Sequence, residues 1–209
     1  MAQSPSHKFG QSLGKLLENI VLDDILKPRL QQFVESKHYY LDWQKFRPAR
    51  KGKKVTWQDR YGNKHDLDFV IEIGGTEDKL GRPVAFIESA WRRYTKHSRN
   101  KAQEIQGAIL PIVERHRLSA PFYGVVLAGD FTKPALAQLK NNGFTIIFIS
   151  YREVVEAFRE IDFNIEFDDV RNPRGEFERF ELVVDYNNGD TIRATFKNKT
   201  LLADFLEKL

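Results

Sequence analysis

The chain has 209 residues and 24.4 kDa, the size of one compact domain with a small appendage rather than two large domains. Its 41% hydrophobic and 12% aromatic residues exclude a disordered chain, and the lack of cysteine excludes disulfides, thiolate metal sites, iron–sulfur clusters and cysteine nucleophiles. A formal charge of +4 permits an anionic partner without requiring one, and the absence of an apolar leader or of any stretch near the roughly 20 apolar residues of a membrane helix predicts a soluble, cytoplasmic protein.

In chain order, Leu13, Leu16, Leu17, Ile20, Val21, Ile25, Leu30 and Phe33 recur near the 3.6-residue period, predicting a helix from Gln11 to about Lys37 with a kink at Pro28. Tyr39 to Lys54 reads as a basic, aromatic-flecked linker. Val55–Arg60 and Asp66–Ile73 read as strands joined by a turn at Tyr61-Gly62-Asn63-Lys64. After a polar loop, Pro83–Trp91 reads as a strand, and Ser98 is the expected N-cap of a helix running to about Arg117. Phe122–Ala128 and Phe144–Ser150 have the continuous apolar character of buried central strands. A helix at Thr132–Asn142, stopped by Gly143, separates them, and another follows at Arg152–Ile161. Beyond Asn172-Pro173-Arg174-Gly175, a hairpin (Phe180–Tyr186 and Thr191–Phe196) and a closing amphipathic helix are expected. The division is thus an α/β core over residues 1–170 and a C-terminal hairpin-helix addition over 171–209, packed on the same domain. The order of elements implies a mixed sheet flanked by helices, antiparallel first and then parallel through helical crossovers.

Charge is unevenly spread. Six basic residues and no acid lie between Trp43 and Gln58, and five more, again without an acid, between Ser89 and Gln103. These segments hold +11, leaving −7 for the rest; twelve Asp/Glu face only four Arg between Glu153 and Asp190. Such segregation predicts one positive face for a polyanion and an acidic back.

The chemistry is expected between those segments. Two neighbouring strands each present a carboxylate, Asp68 and Glu88, in His65-Asp66-Leu67-Asp68-Phe69-Val70-Ile71 and Pro83-Val84-Ala85-Phe86-Ile87-Glu88-Ser89-Ala90-Trp91. Adjacent carboxylates can share a hard divalent cation such as Mg²⁺, or Mn²⁺, which keeps waters that substrate phosphate displaces. Glu88 ends an apolar run, where an unpaired charge is costly without a cation. Asp66 is an alternative to Asp68. None of the five histidines has paired metal-ligand spacing, and no phosphate-binding glycine motif is present.

Asp68 followed by Glu88-Ser89-Ala90 on the next strand resembles the PD-(D/E)XK nuclease superfamily, whose pattern is an acid on the second strand and Glu-x-Lys on the third. The resemblance covers about Gly14 to Ser150. It implies a restriction-endonuclease-like fold, with Asp68, Glu88 and the Ser89 backbone carbonyl holding the metal. Glu18, in Gly14-Lys15-Leu16-Leu17-Glu18, resembles the first-helix glutamate of many members, and Lys101, Gln103 and Gln106 resemble polar residues that some branches aim at the site.

Ala90 departs from the pattern, because the family's lysine orients or deprotonates water and offsets charge at the scissile phosphate. Three explanations stand: a natural lysine replaced by alanine in an inactivated variant, favoured by the otherwise intact pattern; a lysine migrated to Lys96 or Lys101; or a binding-only relative. Arg92 shares a strand face with Glu88 and Ala90 and can contact phosphate, but its pKa disqualifies it as a base. Arg92, Arg93, Lys96, Arg99 and Lys101 are expected along flanking DNA, and Arg50, Lys51, Lys53 and Lys54 across the duplex or on an arm that orders on binding. The function expected is Mg²⁺-dependent DNA cleavage of the restriction type, by a homodimer whose contact surface is the acidic, Phe-rich C-terminal part. The rivals are a non-catalytic DNA-binding or assembly protein and a structure-selective repair nuclease.

Overall fold

The computed structural model describes residues 5–93, 98–119, 121–160, 162–166, 205, 208 and 209. The 170/171 division, the expected C-terminal hairpin and Lys96 lie outside them.

The first apolar helix starts earlier than the periodicity predicts, as α1 (Pro5–Asn19), and passes through a π-helical stretch, Ile20–Leu26, into α2 (Lys27–Lys37). The irregularity precedes Pro28 and is not a kink at it: Pro28 sits in the first turn of α2, where its missing N–H matters least. His38, in the left-handed region at φ 56°, ends α2 and turns the chain into β1 (Tyr40–Trp43). The expected linker therefore contains a strand.

Next come β2 (Val55–Gln58) and β3 (Lys64–Leu67), which pair only with each other, then β4 (Phe69–Ile73) and β5 (Arg82–Arg92). The single strand expected over Asp66–Ile73 is thus two strands broken at Asp68. Helix α3 (Ser98–Arg115), β6 (Phe122–Gly129), α4 (Lys133–Asn141), β7 (Thr145–Ser150) and α5 (Tyr151–Arg159) complete the order. Thr132 caps α4 through the Ala135 N–H, and Ser150 with Glu153 forms a capping box on α5. Ser98, the expected N-cap of α3, stands at the start of the described helix. Its buried hydroxyl accepts from the Thr132 N–H at 3.3 Å.

The main sheet has the order β1-β4-β5-β6-β7, antiparallel through β5 and parallel beyond it. Apolar residues of α1, α2 and α5 pack on one face with Ala85, Ile87, Val126 and Ala128. The opposite face, with Val70, Phe86, Val125 and Leu127, is covered by α3, α4 and the β2–β3 hairpin. Phe205 is buried in the first of these layers, edge-on to Phe122 with ring centres 5.2 Å apart. Among the described residues no helix is long and apolar enough to cross a membrane. The molecule is an α/β protein with a mixed five-stranded sheet flanked by helices.

Candidate active site

The site forms where the chain leaves the small sheet for the large one. Phe69 pairs with Ile87 across β4 and β5, so one step further the register sets Asp68 beside Glu88. The residues that were twenty positions apart in sequence become cross-strand neighbours. Asp68 Oδ2 accepts from the Ser89 backbone N–H at 2.7 Å and from its hydroxyl at 2.9 Å. The Asp68 and Glu88 carboxyls thus stand side by side, each half-buried.

Burial and then the Asp68 charge push Glu88 well above the usual carboxylate range. Burial raises Asp68 as well, while the two Ser89 donors hold it back. Glu18, on the exposed side of α1, is raised first by its own partial burial and then by Asp68. Lys101, near the start of α3, lies close enough to draw all three carboxylates down, and its Nζ also meets Glu104 at 2.8 Å. Glu18, Ser89, Ala90, Arg92 and Lys101 line a cleft of about 740 Å³ between α1 and the end of β5.

Two glycines let the walls close. A Cβ on Gly14 would lie 3.0 Å from the Trp91 ring, so glycine permits α1 to approach β5. Gly129, at φ 102°, brings the end of β6 against the Arg92 carbonyl, which accepts from the Asp130 N–H at 2.7 Å.

Asp68, Glu88, Ser89, Ala90 and Glu18 are therefore brought together. Asp66 is not: it accepts from Lys54 and Thr56, each at 2.6 Å, on the small hairpin. Gln103 is exposed and Gln106 bonds Gln138 of α4. Lys101 lines the cleft and pairs with Glu104 on its own helix.

The expected DNA contacts divide. Arg92 lines the cleft and its guanidinium donates to the Trp91 carbonyl at 2.7 Å, while Arg93 lies over the Phe9 ring at 5.0 Å. Arg99, Lys51, Lys53 and Lys54 are exposed. Arg50 is not a surface cation or part of a flexible arm. Its side chain is 4% exposed, donates to Asp42 at 3.0 Å and bonds the carbonyls of Trp43, Lys45 and Gly52.

Beside it, wholly buried Arg47 makes a two-pronged contact with Glu72 at 2.6 and 3.1 Å, an ion pair with Asp42 at 2.8 Å, and bonds to the Thr76 and Lys79 carbonyls. Sequence reasoning missed this cluster, although Glu72, following Phe69-Val70-Ile71, carries the same signal of an acid at the end of an apolar run that singled out Glu88.

The donor set of Asp68 and Glu88 fits a hard divalent cation: two adjoining, half-buried carboxylates repel each other and gain from a cation between them, and Mg²⁺ is commonly held by one or two carboxylates with the rest water. Among the described residues no group of three or more His, Cys, Asp or Glu side chains is arranged to hold a metal. A cation held there would take this pair as its side-chain ligands, with backbone or water completing the shell.

No family model matches the chain, and no curated protein matches it. A solved structure of a protein of unknown function, AF1548, is similar at 10% identity over 81% of this chain and 94% of that one, with a TM-score of 0.36, a likeness too slight to bear on fold or function.

Proposed function

We propose that the protein is a divalent-metal-dependent DNA endonuclease with a restriction-endonuclease-like core. One observation carries the reading: the register that sets Asp68 beside Glu88, both half-buried, next to a cleft lined by Ser89, Ala90 and Lys101. A like-charged pair held out of water is costly to a fold that gains nothing from it. The order α1, β1, β4, β5, α3, β6, with the β2–β3 hairpin as an insertion, supports the same reading.

Asp68 and Glu88 would hold Mg²⁺ or Mn²⁺, with the Ser89 carbonyl as a further oxygen. When bound, the cation supplies neutralisation of the scissile phosphate and a lower pKa for the attacking water. Ser89 fixes the rotamer of Asp68 with its two donors. Glu18 stands at the rim of the cleft, where it can orient water. Lys101 fills the role that Ala90 leaves vacant: its ammonium, one turn into α3, balances the acids and can offset charge on the phosphate. Of the three explanations for Ala90, a migrated lysine is the one with an observation behind it. Cutting both strands of a duplex calls for two sites, so a homodimer is the expected assembly.

Plasmid DNA incubated with the protein, Ala90→Lys and Lys101→Met, in Mg²⁺ or Mn²⁺, tests the assignment. The parent protein should nick or linearise plasmid, Ala90→Lys should cut at least as well, and Lys101→Met should lose about tenfold to a hundredfold of the rate. Absence of cleavage by both the parent and Ala90→Lys overturns the proposal. It leaves the binding-only reading, marked by salt-sensitive DNA binding indifferent to metal and to Glu88→Ala. Preference for junctions or flaps over linear duplex in the same assay would assign the structure-selective reading instead.

A further inference from the structure

A second concavity lies at the other end of α3. It has a volume of about 580 Å³ and is framed by β2, β3 and the last turn of the helix. Lys53, Lys54, Lys64 and Arg115 line it together with Arg50, and no Asp or Glu is among the described lining residues. Three of these cations have structural work, since Arg50 is held by Asp42 and backbone carbonyls, Lys54 meets Asp66 at 2.6 Å and Arg115 donates to the Asp59 carbonyl at 2.8 Å. Lys53 and Lys64 are exposed.

Trp57 forms part of the wall and is 8% exposed, edge-on to Phe86 and His116 with ring centres 6.0 and 5.4 Å away. The lining therefore presents several cations and, among the described residues, no acid, the complement of an extended anion with many acceptor oxygens.

Spacing identifies which anion. Lys101 lines the cleft at one end of α3 and Arg115 lines the basic groove at the other. Fourteen residues at 1.5 Å each separate them by about 21 Å, which is about six steps of a B-form duplex at 3.4 Å per base pair. We propose that this groove binds the phosphodiester backbone of a DNA duplex about six base pairs from the bond held at Glu88. This rests on the nuclease reading for its far end, and on the groove's own residues for its near end. The groove acts as a sequence-independent anchor that fixes the duplex axis along α3 while the cleft engages the scissile phosphate. Lys64 and Arg115, distant in sequence from the other basic segments, belong to this anchor.

Fluorescence anisotropy of a labelled 20-base-pair duplex tests it, using full-length Glu88→Gln protein in EDTA so that binding is read without cleavage, over a KCl series. Lys53→Ala/Lys64→Ala should weaken binding about tenfold and flatten the slope of log affinity against log salt by about 2, since each lost phosphate contact removes about 0.9. Lys53→Arg/Lys64→Arg, which keeps both charges, should retain affinity and slope. Equal affinity and slope in the Ala variant overturn the proposal, as does an equal loss in the Arg variant. Failure here beside plasmid cleavage by the parent protein sinks the anchor alone. The expected loss without any cleavage by the parent or Ala90→Lys supports the anchor and sinks the nuclease reading.

Discussion

Arg47, Arg50, Asp42 and Glu72 form one enclosed group of charges; the half-buried Asp68 and Glu88, with Glu18 and Lys101 at the cleft, form a second, more open one. In the first, two guanidiniums meet two carboxylates, and the arginine fork fits Glu72 with two bonds and takes backbone carbonyls with its remaining donors. In the second, three carboxylates face one lysine that is itself shared with Glu104. Both groups include an acid at the end of an apolar run, Glu72 and Glu88, on neighbouring strands. The difference lies in compensation. A balanced group is a clamp that secures the loops after β1 and β4, whereas an unbalanced one retains the capacity to take up positive charge from outside. A buried acid thus becomes informative about function when its cation is missing, not merely when it is buried.

Removing the cation from the balanced group should have the largest effect on the fold. Arg47→Met leaves Glu72 and part of Asp42 buried without their partner, and breaking such a pair costs about 3–5 kcal/mol. Urea unfolding should show a midpoint lowered by that amount with little change in slope. A loss below about 1 kcal/mol would mean that the loop carbonyls, rather than the charges, hold this corner, and the contrast between the two groups would collapse.

The unbalanced group should respond in the opposite direction. Glu88→Gln removes a carboxyl that burial, and then Asp68, make hard to ionise. Above 4.5, the ordinary glutamate value, the unfolded chain releases this proton while the folded protein keeps it, so metal-free protein loses stability as pH rises from 4.5 to the raised folded value. Glu88→Gln should therefore melt about 2–4 °C higher than the parent near pH 7.5 in EDTA, the shift that about 1 kcal/mol produces in a chain of this size. The gain should vanish as the pH falls toward 4.5. Plasmid cleavage should drop at least about a hundredfold in the same variant, since the metal's contribution is several kcal/mol. A variant that melted lower at pH 7.5 would place Glu88 among the structural acids, with Glu72.

How far the sequence reveals this contrast follows from the range of the interactions. The apolar runs of β5, β6 and β7 and the Gly143 stop after α4 are local, and they were legible. Asp68 and Glu88 were legible through a pattern of strand acids. β1 was not: Tyr40–Trp43 is short, carries a buried Asp42 and sits among cations, so its local signal is that of a linker. Its acid finds Arg47 and Arg50 through a loop, and Arg47 finds Glu72 across 25 positions, a pairing that composition does not display. For the same reason Arg50 resembled Lys53 in sequence though one is enclosed and the other exposed. The break at Asp68 was hidden too, because alternation of side chains continues through it while the pairing partner changes from β2 to β5. Lys101 was visible as a basic residue, but its direction depends on how α3 docks.

The smallest effect should come from the pair that imitates the balanced group on the surface. Lys54 and Asp66 approach to 2.6 Å, as close as Arg47 and Glu72, but their side chains are 71% and 46% exposed. Water screens the attraction, and ordering a lysine offsets much of what remains, so such pairs contribute about 0–1 kcal/mol. Asp66→Asn should move the urea midpoint by no more than that, and less still at 0.5 M salt. The same change frees Lys54 from its partner beside the basic groove, so duplex binding by the metal-free Glu88→Gln protein should tighten by about twofold to fivefold at low salt, the opposite sign from Lys53→Ala/Lys64→Ala. A loss of several kcal/mol in Asp66→Asn would show that distance alone, without burial, decides what an ion pair contributes in this protein, and the distinction between its enclosed and open charges would fail at its weakest member.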